Sequence, residues 1–457
     1  MPKTASPETH PPDIEKPDAH HEETLGSVSP QEHKRLIRRI DMRLVLTLGC
    51  LYCISLLDRT NLGAASIAGM QTDLNMNALN NGYSVTSLVF FFITYTVFQI
   101  PATVIIRKLG PRIFLSAIVV LWGVIVIGFG LVPKWQSMAG LRVILGALEA
   151  GFYPGCVYLL STWYPRYELQ KRNAAFYLIG SMASGFGGIL AYGLMQMDGG
   201  VLTCALGLGS YIFLVDFPEQ SPKSWNFLNE TEAAHIVSVL ENDRSDVYAE
   251  GSHKVWLYTL LYLLTTANTY SIAYFLPIIL QDSMGFDVAK AQCLVAPPYV
   301  AAGIVMFLQG MLADKWRVRG PIVAVNAVLG LLGLGLLGYL QSPAPRYFGV
   351  FLATIAGNSN CPALVSWQSN NIRGQWKRAL TSATLIGGGS IGGILGTTVF
   401  RAQDAPDYHP GLLTTMVANG LIVLIVGLLG LKFSRANARA DRGGKLIEGL
   451  SGFRYTL

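Results

Sequence analysis

LVLTLGCLYCISLLDRTNLGAAS, Leu44 to Ser66, places fourteen uncharged residues ahead of one acid and one base, Asp58 and Arg59. As a helix those fourteen residues reach about 21 Å at roughly 1.5 Å per residue. Apolar character resumes beyond the charges to residue 69, long enough to cross a hydrocarbon core of about 30 Å. The rest of the chain is alike. Of 457 residues, 51% are hydrophobic and 14% charged, with a mean hydropathy of +0.40; soluble domains carry about 25% charged residues. A soluble globular protein is excluded, and the lipid bilayer is the expected solvent.

From residue 44 onward, apolar runs of roughly 17 to 25 residues recur, each about long enough to cross as a helix. Twelve spans are expected, at 44–69, 83–106, 112–132, 138–162, 173–197, 200–217, 254–280, 290–312, 321–340, 347–368, 378–401 and 412–432. The fold class is an all-α membrane protein, with twelve transmembrane helices in two six-helix halves. The least apolar interval, 218–253, is a linker between an N-terminal half at 41–217 and a C-terminal half at 254–433. Residues 1–40 contain MPKTASPETHPPDIEKPDAHHEETLGSVSP, rich in Pro, Glu and His. They read as a disordered cytosolic tail with no signal peptide legible. Residues 434–457 read as a second cytosolic tail.

Basic residues set the orientation. HKRLIRRIDMR, RKLGPR, YPRYELQKR, ADKWRVR, IRGQWKR and KFSRANARADRGGK fall on one side of the expected spans, while TDLNMNALNN, VPKW, QDSMGFD and QDAPDYHPG on the other hold far fewer. Cytoplasmic loops collect Lys and Arg, so both termini are expected in the cytosol, with the plasma membrane as the site. The same pattern accounts for the net charge of +6, so no nucleic-acid partner is implied.

All six cysteines lie in or beside apolar spans, which reads Cys50 and Cys53 as packing rather than metal or redox chemistry. The seven histidines lie in tails, linker or loops, so a proton site inside the membrane must be a carboxylate. No phosphate loop, metal cluster or nucleophile with a base is present. The glycines of IGSMASGFGGILAYG and IGGGSIGGILG, inside spans, read as close-packing faces. An enzyme, a cofactor and a metal are not expected.

An internal repeat supports two halves. STWYPRYELQKRNAA (Ser161–Ala175) after the fourth span and VSWQSNNIRGQWKRALT (Val365–Thr381) after the tenth each carry a Trp followed by a basic pair. TVIIRKLGPR (Thr103–Arg112) likewise has a counterpart six spans later in GMLADKWRVR (Gly310–Arg319). A duplicated six-plus-six plan suits alternating access about a central site.

GMLADKWRVR resembles the loop signature of the major facilitator superfamily, with Gly310, Asp314, Lys315 and Arg319 at its positions. The first-half copy departs from it, with Thr103 and Arg107 where Gly and Asp are expected. LLDRTNLGAASI, RVILGALEAGFYPG, AYFLPIIL and WQSNNIRGQWKRA together resemble the anion:cation symporter family, most of all its allantoate permease branch of fungal carriers. The likeness covers Arg35 to Arg435. It implies a gating role for the Gly310–Arg319 loop, proton coupling by Asp58 and Glu149, and substrate binding by Arg59.

The chemistry of those residues fits. A charge in a span costs on the order of 2.5 to 3.5 kcal/mol on insertion scales, so intramembrane ions are usually kept for function. Asp58 and Arg59, being adjacent, point about 100 degrees apart and each needs its own partner. A guanidinium fork matches a carboxylate, and an acid shielded from water can exchange protons near neutrality. Blander readings stand beside these: Asp58 solvated at the end of a short helix, Glu149 hydrogen-bonded to a neighbouring helix, Arg142 anchoring the outer end of its span. Tyr95, Gln99, Tyr153, Asn268, Tyr270, Tyr274, Asn358, Asn360 and Trp367 are candidates to line a cavity, or to bond helix to helix.

The first reading is a monomeric proton-coupled importer of a small organic anion. A neutral-sugar carrier is the alternative, since DFPEQSPKSW resembles a sugar-porter turn, and a membrane nutrient sensor that binds without transport is the third. One departure stands out. Only Asp198, Gly199 and Gly200 separate the fifth span from VLTCALGLGSYIFLVDF, so the sixth helix is expected to be short, from either a truncated gene model or an impaired outer gate.

Overall fold

A computed structural model describes residues 29–65, 74, 90–165, 167–194, 199–223, 227–244, 254–280, 284–286, 288–372, 375–399, 408–443, 447 and 453–457. Their regular structure is helical. An amphipathic helix α1 (Pro30–Ile40) passes through a π-helical turn at Asp41–Val45 into α2 (Leu46–Ala65). There follow α3 (Phe90–Leu109), α4 (Pro111–Phe129), α5 (Trp135–Glu149), α6 (Phe152–Trp163), α7 (Leu169–Leu194) and α8 (Gly199–Phe213). The linker contributes a 3-10 turn (Pro218–Lys223) and α9 (Glu230–Arg244). The second half holds α10 (Lys254–Ile278), α11 (Val288–Trp316), α12 (Gly320–Tyr339), α13 (Pro343–Asn370), α14 (Gln375–Val399) and α15 (His409–Asp441).

With α5 and α6 forming one crossing, a helix falls at each of the twelve expected spans. Among the described residues, eight crossings are long and apolar enough by length and composition to span a membrane. Their surface is inverted relative to a soluble protein. Val97, Leu208 and Leu428 are 63%, 66% and 59% exposed, while Gln99, Asn326, Ser366 and Asn370 are buried. Only a hydrocarbon solvent makes that arrangement favourable.

Packing repeats between the halves. The pairs α2 with α7, α3 with α5 and α4 with α8 recur as α10 with α14, α11 with α13 and α12 with α15. The halves meet where α7 packs on α11 and α3 on α14. Gly110, between α3 and α4, has φ of +83°, and a Cβ there would lie 3.0 Å from the Asp216 carboxylate. Both constraints demand glycine.

Several boundaries differ from the sequence reading. Residues 30–40, expected within a disordered tail, are helical. Ser29 and Glu32 form a capping box, Pro30 occupies the first turn, and Leu36, Ile37 and Ile40 are buried. The last helix runs on to Asp441 through the expected second tail, and Phe453, Tyr455 and Thr456 are buried. The fourth crossing breaks at Ala150–Gly151, where a Cβ on Gly151 would lie 2.7 Å from the Phe114 ring and 2.8 Å from Ala102. The sixth helix has fifteen residues, about 22 Å of length, and is short as expected. Asp198, in the junction preceding it, lies outside the described residues.

Candidate functional site

A cavity of about 80 Å³ lies between the halves. The first half lines it with Tyr52 and Leu56 of α2, Tyr95 of α3, Tyr153 of α6, and Tyr177 and Ser181 of α7. From the second half come Tyr262, Thr266, Thr269, Tyr270 and Ala273 of α10, Tyr299 of α11, Asn358 and Cys361 of α13, and Ile386, Gly389 and Ser390 of α14. No charged side chain lines it among the described residues. Residues of the two halves face each other across it, Tyr153 near Tyr262 and Tyr177 near Cys361.

Helical arithmetic explains which face each span presents. Tyr52 and Leu56 are four apart and share the cavity face of α2, whereas Asp58 sits two residues beyond Leu56, about 200 degrees around. Accordingly Asp58 faces the helices behind the cavity. Trp122 Nε1 of α4 and Thr203 Oγ1 of α8 each donate to Asp58 Oδ2 at 3.1 Å. Glu149, 3% exposed, accepts a hydrogen bond from the Ser55 hydroxyl of α2. Glu149 and Arg142 are both near enough to act electrostatically on Asp58. Arg142 is itself buried, with its guanidinium 4.7 Å from the Phe129 ring centroid. The two acids thus share an electrostatic neighbourhood behind the cavity wall, and neither lines it. The Arg59 side chain lies outside the described residues, as does that of Tyr274.

Of the other candidates, Tyr95, Tyr153, Tyr270 and Asn358 line the cavity. Gln99 is one layer behind, its Nε2 donating to Ser390 Oγ at 3.4 Å. Asn268 is buried off the cavity face. Asn360 accepts from Asn326 Nδ2 at 3.0 Å, joining α13 to α12. Trp367 donates to Thr456 O at 2.8 Å, at the end of the bundle that carries the chain's termini. Sequence reasoning missed Tyr52, Tyr177, Tyr262 and Tyr299. One signal was present: Tyr262, Thr266, Thr269, Tyr270 and Ala273 recur at 3.6-residue spacing and mark a single face of α10.

At that same end the halves are latched. Asp314 of α11 accepts from Arg319 and, at 2.8 Å, from the backbone N of Lys171. Lys171 is in the first turn of α7, where amides lack intrahelical acceptors and the helix dipole favours an anion. Gly310 permits the approach, since a Cβ there would lie 3.1 Å from Ala174. Asn173 Nδ2 donates to Ser366 Oγ across the halves at 2.9 Å. Arg319 is fully buried, whereas Lys315 is exposed.

Two pseudo-symmetric halves around a central polar cavity, latched at one end, match what the repeated sequence blocks imply. A family model described as Major Facilitator Superfamily matches residues 48–397. The chain belongs to the major facilitator superfamily. This facilitator is 30% identical over 417 residues to the MFS-type transporter cnsO of Penicillium expansum, covering 84% of this chain and 80% of that one. It is 27% identical over 413 residues to the high-affinity nicotinic acid transporter of Saccharomyces cerevisiae, covering 85% and 76% respectively. Its fold matches the MFS proton:xylose symporter XylE with a TM-score of 0.66 at 16% identity, over 86% of this chain and 95% of that one. The facilitator is therefore an integral membrane transporter and not an enzyme, and its likeness to fungal carriers agrees with the sequence reading.

Proposed function

We propose that this facilitator imports a small organic anion together with protons, by alternating access about the central cavity, as a monomer in the plasma membrane with both termini cytosolic. One observation carries the reading. Glu149 is buried at the end of α5, four residues before Tyr153 of the cavity wall, and is bridged by Ser55 to the helix that bears Tyr52 and Asp58. A carboxylate so placed has a short path to the cavity, and an acid kept inside a span is usually kept for function, which supports a proton-carrying role. Arg59 is assigned to the substrate anion on its chemistry, since a guanidinium fork matches a carboxylate. The nicotinic acid transporter among the relatives supports a monocarboxylate substrate. The latch at the termini end supports a gate that opens to the cytosol, with Asp314 and the Lys171 amide as its moving contact and Arg319 holding the Asp314 carboxylate in place.

A neutral-sugar carrier has one point in its favour, the absence of a charged lining residue among the described ones. Purified protein in vesicles separates the two readings. Under an inward proton gradient, a labelled monocarboxylate accumulates and the gradient's collapse by an uncoupler abolishes accumulation. Accumulation of hexoses or pentoses with no response to carboxylates overturns the anion reading, and binding without counterflow makes the protein a sensor.

A further inference from the structure

Seven of the seventeen residues around the cavity are tyrosines, contributed by six helices. We propose, resting on the anion-importer reading, that this tyrosine cage selects a monocarboxylic acid built on one planar ring. The rings are held in place rather than merely present. On one wall Tyr52, Tyr153 and Tyr177 lie with centroids 5.1, 5.9 and 6.5 Å apart, tilted by 47, 44 and 83 degrees. They form a corner of flat faces and edges instead of a closed stack.

Glycines seat the rings. A Cβ on Gly180 would run into the Tyr52 ring, one on Gly389 would lie 2.5 Å from Tyr262 Cε1, and one on Gly393 would lie 3.2 Å from Tyr270. These glycines, legible as packing faces, leave the space that the rings occupy. Gly392 and Gly396 do serve helix packing, against the backbone of α10. Side chains fixed this way lose little freedom when a ligand arrives, which favours a shape-selective site.

Size and charge narrow the occupant. The cavity, about 80 Å³, has room for roughly five to eight waters at about 10–15 Å³ each, which suits one six-membered ring bearing one carboxylate. Aromatic faces at 4.5–7 Å centroid spacing attract one another beyond what area burial alone provides. A saturated ring of the same size presents axial hydrogens and forfeits that gain. The carboxylate oxygens find phenol hydroxyls and the Asn358 amide as donors. A dicarboxylate would bring a second charge into a lining that offers neutral donors, and desolvation disfavours it.

The test is calorimetric titration of the full-length purified protein with benzoate, cyclohexanecarboxylate and succinate. Benzoate is expected to bind about ten-fold more tightly than cyclohexanecarboxylate, with succinate weaker still. Gly389→Ala, which displaces the Tyr262 ring, should reduce benzoate affinity about five-fold and leave cyclohexanecarboxylate nearly unchanged. Tyr177→Phe should keep the planar preference and Tyr177→Leu erase it, with the wild-type comparison standing if either variant fails to fold. Equal affinity for the planar and saturated rings overturns the cage proposal and leaves the anion reading intact. Failure of all three acids, with binding of a neutral sugar, overturns both.

Discussion

Asp58 and Arg59 are sequence neighbours whose positions on α2 differ by a quarter turn, and the two face different tasks. Arg59→Gln is expected to cut carboxylate uptake at least about ten-fold, and Arg59→Lys nearly as much, because a compact ammonium does not reproduce a bidentate fork. Membrane abundance should be unchanged. Wild-type uptake by a well-expressed Gln variant removes the anion-binding role. Asp58→Asn and Glu149→Gln should each abolish uphill accumulation, with substrate exchange between the two sides surviving better than net uptake for at least one of them. Trp122 and Thr203 both donate to Asp58, so the Asn variant must keep an acceptor there to remain folded. Accumulation that still collapses with an uncoupler in both variants, as in the wild type, assigns the proton path elsewhere.

At the scale of elements, the repeated Trp motif acquires a physical meaning. Trp163 ends the fourth crossing and donates to Asp216 O at 3.1 Å, pinning the chain that leaves the sixth helix. Trp367, near the end of the tenth, donates to Thr456 O and pins the chain that leaves the twelfth. The second clasp is the larger. Asn371 bonds both backbone atoms of Thr456, Arg319 N donates to Leu457 O, and Tyr455 stacks on Phe433 at 4.7 Å. Removing residues 453–457 leaves the Asn371 amide and the Arg319 N–H without these partners, at about 1–3 kcal/mol for each group that water cannot reach. Thermal unfolding in detergent should shift down by a few degrees, and Trp367→Phe should reproduce part of the shift. An unchanged Tm places the segment's docking outside the folded energetics.

The docking of α1 on α9 carries a pH dependence. His33 Nδ1 lies 3.1 Å from His235 Nε2, beside the Arg39–Glu232 ion pair. Burial holds the His235 pKa below the ordinary histidine value, and the His33 charge adds to that depression. The undocked imidazole, with a pKa near 6.5, takes up protons that the docked one resists. The stabilisation is therefore complete above about pH 6.5 and lost as pH falls through the lower docked value. Amide exchange over residues 30–40, corrected for intrinsic rates, should be faster at pH 5 than at pH 7.5, and equal protection at both values discards the coupling.

For the whole molecule, alternating access requires that the latch at the termini end open while each half stays rigid. Asn173 and Ser366 meet across that end at 2.9 Å. An Asn173→Cys/Ser366→Cys pair should lose transport under oxidant and recover it with reductant. Each single variant should not respond. Full transport by the cross-linked pair would mean that the halves do not part there.

The membrane class, twelve crossings, two halves and the presence of Asp58, Arg59 and Glu149 within apolar spans were legible in the sequence, because hydropathy length and helical period are local properties of the chain. So was Tyr270 as a cavity candidate, though its partners on the α10 face went unread. The helix at 30–40 was missed because its three apolar residues lie in a charged stretch whose capping box counts only once docking gives those residues a surface to cover. What tertiary structure decided was assembly. Tyr52, Tyr95, Tyr153, Tyr177, Tyr262 and Tyr299 are far apart in sequence and share one cavity only because four crossings of one half and four of the other converge. Asn360 and Trp367 looked equally fit for a cavity; instead Asn360 joins α13 to α12 and Trp367 pins the C-terminal segment. A polar side chain inside a span must find a partner, and which partner it finds depends on neighbours that no local pattern names.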